Sequence, residues 1–151
     1  MTLTANVTNV LNSTIEAVKS VIPASLHIES PSLFTEPVVQ SSIGVLIGMT
    51  GDIRGRLIIE AEQSVFSGIG EMMFGMPIEG EMLDSFTGEL GNMIAGNLST
   101  HVSQKNIIMD ITPPTVIVGQ SKMFGFDKAF RVPVQFEDKR ELQIILMLEI
   151  K

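Results

Sequence analysis

The run Ser42-Ile43-Gly44-Val45-Leu46-Ile47-Gly48-Met49, then Thr50-Gly51-Asp52, then Arg54-Gly55-Arg56-Leu57-Ile58-Ile59-Glu60, decides the fold. Two apolar, β-branched segments flank a short turn in which Gly tolerates positive φ, so the run is expected to form a hairpin. Ala129 to Phe136 and Glu141 to Glu149 repeat the arrangement around the polar turn Glu137-Asp138-Lys139-Arg140. Hairpins imply antiparallel pairing. Between the two hairpins lie helical patterns from Glu62 to Met73, stopped by Gly75-Met76-Pro77, and from Glu81 to about Gln104. Pro113-Pro114 then opens an extended run, Thr115 to Val118. Ahead of the first hairpin, Val7 to Ile22 reads as a helix with Val10, Leu11, Ile15, Val18 and Ile22 on one face, ended by Pro23. An irregular stretch with Pro31, Phe34 and Pro37 follows, and from Val38 the pattern turns to strand. Helices and strands are grouped rather than alternating, which favours an α+β fold: a mostly antiparallel sheet with helices packed on one face. No stretch reads as a linker, so residues 1–151 are expected to form a single domain.

Composition narrows the function classes. Hydrophobic residues make up 44% of the 151, enough to bury a core. The formal net charge of −7 argues against a nucleic-acid binder, whose affinity comes from Lys and Arg meeting phosphates, and against docking on an anionic membrane. No apolar run approaches the roughly 18 residues needed to span a bilayer. The start, Met1-Thr2-Leu3-Thr4-Ala5-Asn6, lacks a positive region followed by an apolar one, so no secretory signal is expected. The absence of Cys excludes disulfides and thiolate metal sites and fits a cytoplasmic protein. Met72, Met73, Met76 and Met82 crowd one region. Such residues can form an adaptable binding surface, but core filler is the plainer expectation.

The helix from Glu81 carries the chemistry. At about 100° per residue, Leu83, Phe86, Leu90, Met93, Ile94, Leu98 and Val102 gather on one broad side, an ordinary buried stripe that Asn97 and His101 adjoin. On the opposite side Ser85, Glu89, Asn92, Gly96, Ser99 and Ser103 form a narrow line, flanked by Gly88 and Gly91. Exposed helix faces usually carry Lys, Arg, Glu and Gln. This one carries small residues and one Glu-Asn pair. Each interior Gly costs roughly 1 kcal/mol relative to Ala, a cost justified where another surface must approach closely. That surface is either a partner protein or a neighbouring helix of the same domain. The second case would bury Glu89, at a desolvation cost, so external contact is the expectation. Glu89 and Asn92, three apart, act on one target: the carboxylate can meet a cation and the amide can orient a water molecule. The pair contains no nucleophile and suits water-mediated hydrolysis of an already reactive bond.

The motif Ser85-x-x-x-Glu89-x-x-Asn92, with Pro114 downstream, resembles the pattern of the CheC/CheX/FliY phosphatases: Asp or Ser, then Glu, then Asn at the same spacings, then a Pro. Gly88-Glu89-Leu90-Gly91-Asn92-Met93-Ile94-Ala95-Gly96-Asn97 looks like the family's helix, and Gly51-Asp52-Ile53-Arg54-Gly55 is similar to its hairpin. The element order matches over most of the chain. CheC-like members carry two such motifs. Here the first helix offers Asn12-x-x-x-Glu16-x-x-Lys19, with Lys where Asn is needed, so that site reads as lost. One motif on a short chain is most similar to the CheX branch, and this implies a homodimer. The resemblance further implies hydrolysis of the aspartyl phosphate on a CheY-like receiver. Asn92 would place the attacking water, and Glu89 would pair with the receiver's Lys. Mg²⁺ would come from the receiver, and this chain would need no cofactor of its own. Ser85, Gly88, Gly96 and Ser99 are then expected to touch the partner.

Other motifs yield less. Gly48-x-x-Gly51 and Gly68-x-Gly70 lack a phosphate-binding Lys and read as turn and packing glycines. His27 and His101 show no metal-ligand spacing. Glu79, Glu81 and Asp84 suit the solvated, positive start of a helix. The competing function class is a non-catalytic adaptor of the flagellar-switch type, which retention of both Glu89 and Asn92 disfavours.

Overall fold

The computed structural model describes residues 3–34, 38–39, 42–119, 121–122 and 128–149. Pro37 lies outside them. Helix α1 (Leu3–Val21) begins about one turn before the expected start at Val7 and ends ahead of Pro23. The decisive hairpin forms between β4 (Ile43–Gly51) and β5 (Arg54–Ala61), with Ile43 opposite Ala61 and Met49 opposite Gly55. Its turn is tighter in sequence than expected. Gly51 still belongs to β4, in a backbone conformation of φ 108° that an L side chain rarely adopts, and Asp52 and Ile53 reverse the chain.

The second hairpin joins β9 (Lys128–Phe136) to β10 (Glu141–Glu149). Strand β10 also pairs with β5, which brings the two hairpins into one antiparallel sheet. Its order is β1 (Leu26–Ile28), β9, β10, β5, β4, β6 (Met109–Ile111). Strand β2 (Ser32–Phe34) adds to β9 and β7 (Thr115–Val118) to β4. A separate pair joins β3 (Val38–Val39) to β8 (Ser121–Lys122).

Helices α2 (Gln63–Phe74) and α3 (Glu81–Ser103) join α1 on one face of the sheet. There Val10 and Val18 of α1, Phe66 and Ile69 of α2, and Leu90, Ile94 and Leu98 of α3 meet Val45, Ile47, Leu57, Ile59, Ile144 and Leu146 in one continuous core. On the other face Ile58, Ala129, Ile145 and Met147 form a small second cluster with Leu46. Strand β10 is therefore buried on both faces, which accounts for its unbroken apolar run.

The segment after α3 is sewn to the first hairpin. The Asp52 carboxylate accepts from the Ile108 N–H at 2.8 Å, and the Asp52 N–H donates to the Ile108 carbonyl at 2.9 Å. Further along, the Thr112 N–H donates to the Gly48 carbonyl (2.9 Å) while its hydroxyl accepts from the Gly48 N–H (2.8 Å). These bonds hold Pro113-Pro114 beside α3.

Candidate active site on the central helix

Helix α3 runs over β4, β6 and β7 and touches both α1 and α2. Its buried residues are Leu83, Phe86, Thr87, Gly88, Leu90, Gly91, Ile94, Ala95, Leu98 and Val102. Glu89 and Ser85 are exposed, and Asn92, Gly96 and Ser99 are half-buried. The expected Glu-Asn face is thus open at its centre. Among the described residues neither the Glu89 carboxylate nor the Asn92 amide has a hydrogen-bond or ion-pair partner within the chain. Both are free to act on something outside it.

Two glycines correct the sequence expectation. A Cβ built on Gly91 would lie 2.5 Å from Cγ1 of Val45 on β4, and one on Gly88 would lie 3.3 Å from Cγ2 of Val116 on β7. Both glycines admit the sheet, not a partner protein and not a neighbouring helix. Gly88 therefore leaves the set of partner-contacting residues. Of these α3 glycines Gly96 alone, with nothing within 4 Å of its Cβ position, opens onto free space. Ser99, half-buried on the same line, also has an internal role. Its hydroxyl donates to the Met109 carbonyl at 2.8 Å and ties α3 to β6.

Met93, expected in the buried stripe, is 39% exposed. The cause of both errors is the same. Small residues, Thr87, Gly88, Gly91 and Ala95, fill the closest approach to the sheet, so the buried arc is rotated toward them and away from Met93. The Thr87 hydroxyl, fully buried, is satisfied by the Leu83 carbonyl at 2.8 Å.

Pro114 comes within 4.0 Å of the Gly88 Cβ position, on the same flank of α3 as Asn92 and one turn away. The motif's separated parts, Ser85, Glu89, Asn92 and Pro114, are therefore gathered at one end of the sheet's β4–β7 edge. Acidic Glu79, Glu81 and Asp84 are solvated at the start of α3, as expected. Methionine reverses its expectation. Met72, Met76 and Met82 are exposed, and only Met73 packs against the core.

The other candidates recede. His27 is exposed and His101 half-buried, and no group of three or more His, Cys, Asp or Glu among the described residues is arranged to hold a metal ion. Gly68 faces the Arg140 guanidinium and Gly70 faces Ile78, so both are packing glycines. A shallow hollow of about 430 Å³ lined by Ser42, Glu60, Glu62, Arg140 and Gln143 shares no residue with α3. On α1, Asn12, Glu16 and Lys19 are all exposed, so the degenerate motif keeps its surface position while lacking the Asn. No helix among the described residues is long and apolar enough to cross a membrane.

Residues 43–128, more than half of the chain, match the family model described as chemotaxis phosphatase CheX. The chain belongs to that family. The CheY-P phosphatase CheX of Thermotoga maritima is 29% identical to it over 150 residues, 96% of this chain and 97% of that protein. Two solved structures share the fold of this CheX-family chain. A CheC-like superfamily protein from Shewanella sp. PV-4 has a TM-score of 0.80 at 23% identity, covering 99% of this chain and 100% of that one. The CheX–CheY–BeF₃–Mg²⁺ complex from Borrelia burgdorferi gives 0.78 at 21% identity, covering 95% and 97%. The matched span holds the hairpin, α2, α3 and Pro114, so family membership and the helix motif rest on the same residues.

Proposed function

We propose that Asn92 and Glu89 are the residues with which this phosphatase removes the phosphoryl group from the aspartyl phosphate of a CheY-type receiver. The observation that carries the reading is the placement of both polar groups, uncommitted within the described chain, on the open face of a helix whose other side is locked to the sheet. Asn92 has one acceptor and a two-hydrogen donor, so it can hold a water molecule with a lone pair aimed at phosphorus. Glu89, exposed and one turn away, meets the receiver's Lys and fixes the docked geometry. The phosphoryl-transfer transition state is loose, so no general base is required and orientation of water supplies the rate. A 100-fold effect requires about 2.7 kcal/mol, within reach of two side chains.

On this reading Mg²⁺ belongs to the receiver, where it offsets charge on the phosphoryl oxygens. The composition of the Borrelia complex, CheX with CheY, BeF₃ and Mg²⁺, supports that assignment. Ser85 and Gly96 border the pair and contact the partner. We take residues 1–151 as one phosphatase domain, because strands from Leu26 to Glu149 build the main sheet. We also take the chain to be cytoplasmic and homodimeric, as the family resemblance implies.

The test is phosphate release from a CheY-type receiver phosphorylated with acetyl phosphate. Asn92→Ala is expected to reduce turnover at least about 100-fold while receiver binding persists. Equal phosphate loss with wild type, variant and no protein would remove the enzymatic reading and leave the adaptor one.

A further inference from the structure

Three large apolar side chains stand in solvent on the Glu89 side of α3 or against its Phe86: Met82 at 60%, Met93 at 39% and Phe74 at 62% exposure. Their arrangement is not random. Taking Glu89 as the reference direction on α3, Met82 lies about 20° and Met93 about 40° to one side, while Ser85 and Asn92 lie about 40° and 60° to the other. Phe86 falls about 60° round on the methionine side. Phe74, at the end of α2, sets its ring edge-on against Phe86, with ring centroids 5.9 Å apart. Gly75, in the left-handed conformation at φ 76°, stops α2 at that point and leaves Phe74 at its end. Glu89 therefore sits on a boundary, with an apolar flank toward α2 and a polar flank toward Pro114.

We propose that Phe74, Met82 and Met93 form an apolar shelf on which the phosphorylated receiver rests while Glu89 and Asn92 enter its active site. This extends the function proposed above and rests on it. Continuity with the Glu89–Asn92 face names the occupant, because any body that reaches both polar groups covers the methionines one and two turns away. Charge agrees. Helix α3 has no Lys or Arg in its 23 residues, and Glu81, Asp84 and Glu89 are exposed. A partner with a cation at its active-site rim fits that face. A second copy of this chain in a two-fold contact would set these carboxylates against their own images. Met suits a partner that must leave after every turnover, since its unbranched thioether chain adapts to a surface without fixing one rigid geometry. The shelf orients the receiver about Glu89, so that Asn92 alone faces the phosphoryl group.

The experiment measures KM and kcat of the full chain on the acetyl-phosphate-treated receiver. Met82→Ser and Met93→Ser are each expected to raise KM roughly 10-fold with kcat changed less than about twofold, the pattern of lost uniform binding. Met82→Leu and Met93→Leu should keep KM near wild type. Met72→Ser is the control: Met72 is 47% exposed but sits near Pro23 and Phe136, away from this face, and its KM should not move. Unchanged KM in the double Met82→Ser, Met93→Ser variant, with Asn92→Ala inactive, would overturn the shelf and leave the catalytic pair standing. An equal rise in Met72→Ser would overturn it as a non-specific effect. Loss of self-association by the double variant with KM unchanged would make the patch a contact between copies instead. Turnover surviving Asn92→Ala would overturn the reading of the site, and the shelf's assignment to the receiver with it.

Discussion

Val45 occupies the space that a side chain at Gly91 would need: a methyl group there would lie 2.5 Å from Cγ1 and 2.8 Å from Cγ2. Gly91 lies nearly opposite Glu89 on α3, so the contact that seats the helix on β4 also sets how far Glu89 and Asn92 stand from the domain. Val45 is β-branched and restricted at χ1 in its strand, so it yields poorly. Gly91→Ala should therefore pay an overpacking cost of about 1–3 kcal/mol, more than the roughly 1 kcal/mol gained in helix propensity. The expected result is a Tm lower by about 2–4 °C. An unchanged or raised Tm would show that β4 gives way at no cost.

Gly96 predicts the reverse. Nothing stands within 4 Å of its Cβ position and it is helical, so Gly96→Ala should stabilise by about 0.4–1 kcal/mol, seen as a higher urea midpoint. The glycine then has no internal reason to be there. Gly96→Leu should keep that stability and raise KM for the phosphorylated receiver, because the bulk stands on the docking face. Full activity with Leu at this position would take Gly96 out of the partner contact.

Glu89→Gln separates charge from shape. The two side chains are nearly isosteric, and the exposed carboxylate has no described partner within the chain to lose. Stability should hold within about 0.5 kcal/mol. Receiver affinity should fall, and the salt dependence of KM should flatten, since one solvent-facing charge pair has gone. A salt response identical to wild type would rule out a charge contact at Glu89.

Helix α1 tests whether one site accounts for all turnover. Asn12, Glu16 and Lys19 share the surface placement of the α3 motif but lack its Asn. Glu16→Ala and Lys19→Ala should leave kcat and KM unchanged. A rise in KM or a fall in kcat in either variant would mean that the first helix still binds receiver.

The sequence was legible where a local pattern had a strong physical cause. The Ser42–Glu60 hairpin, the C-terminal hairpin and the three helices all form within a few residues of their expected bounds. Strands β1, β2 and β6, three residues each, escaped because nothing local marks them; β9 and β4 hold them by pairing partners far away in the chain. On α3 the positions of Glu89 and Asn92 were legible from periodicity, but the direction of Gly88 and Gly91 was not. Periodicity weighs large apolar residues and treats Gly as neutral, whereas helix-to-sheet approach is closest where side chains are smallest. Exposure of Met82 and Met93 was hidden for the complementary reason, since an apolar residue near a stripe reads as part of it.

A final prediction concerns the clasp between the C-terminal hairpin and α2. Arg140 donates through Nε and Nη2 to Oδ2 of Asp138, at 2.7 and 2.6 Å, and through Nη1 to the Ser64 carbonyl at 3.0 Å. The side-chain hydrogen bond from Arg140, aided by its backbone N–H, holds the Asp138 carboxyl below its ordinary value of 3.8. A carboxyl depressed on folding stabilises the folded state above its unfolded value, and that contribution disappears as pH falls through the folded value. The pair is exposed, so the contribution is small and weakened by salt. Asp138→Asn should lower the urea midpoint at pH 7, and its deficit should shrink as pH falls through the depressed value of the folded carboxyl, where the native group also becomes neutral. A deficit that persists undiminished in acid would mean that the Asn disturbs the turn's geometry instead, because loss of charge alone cannot matter once the wild-type group is protonated.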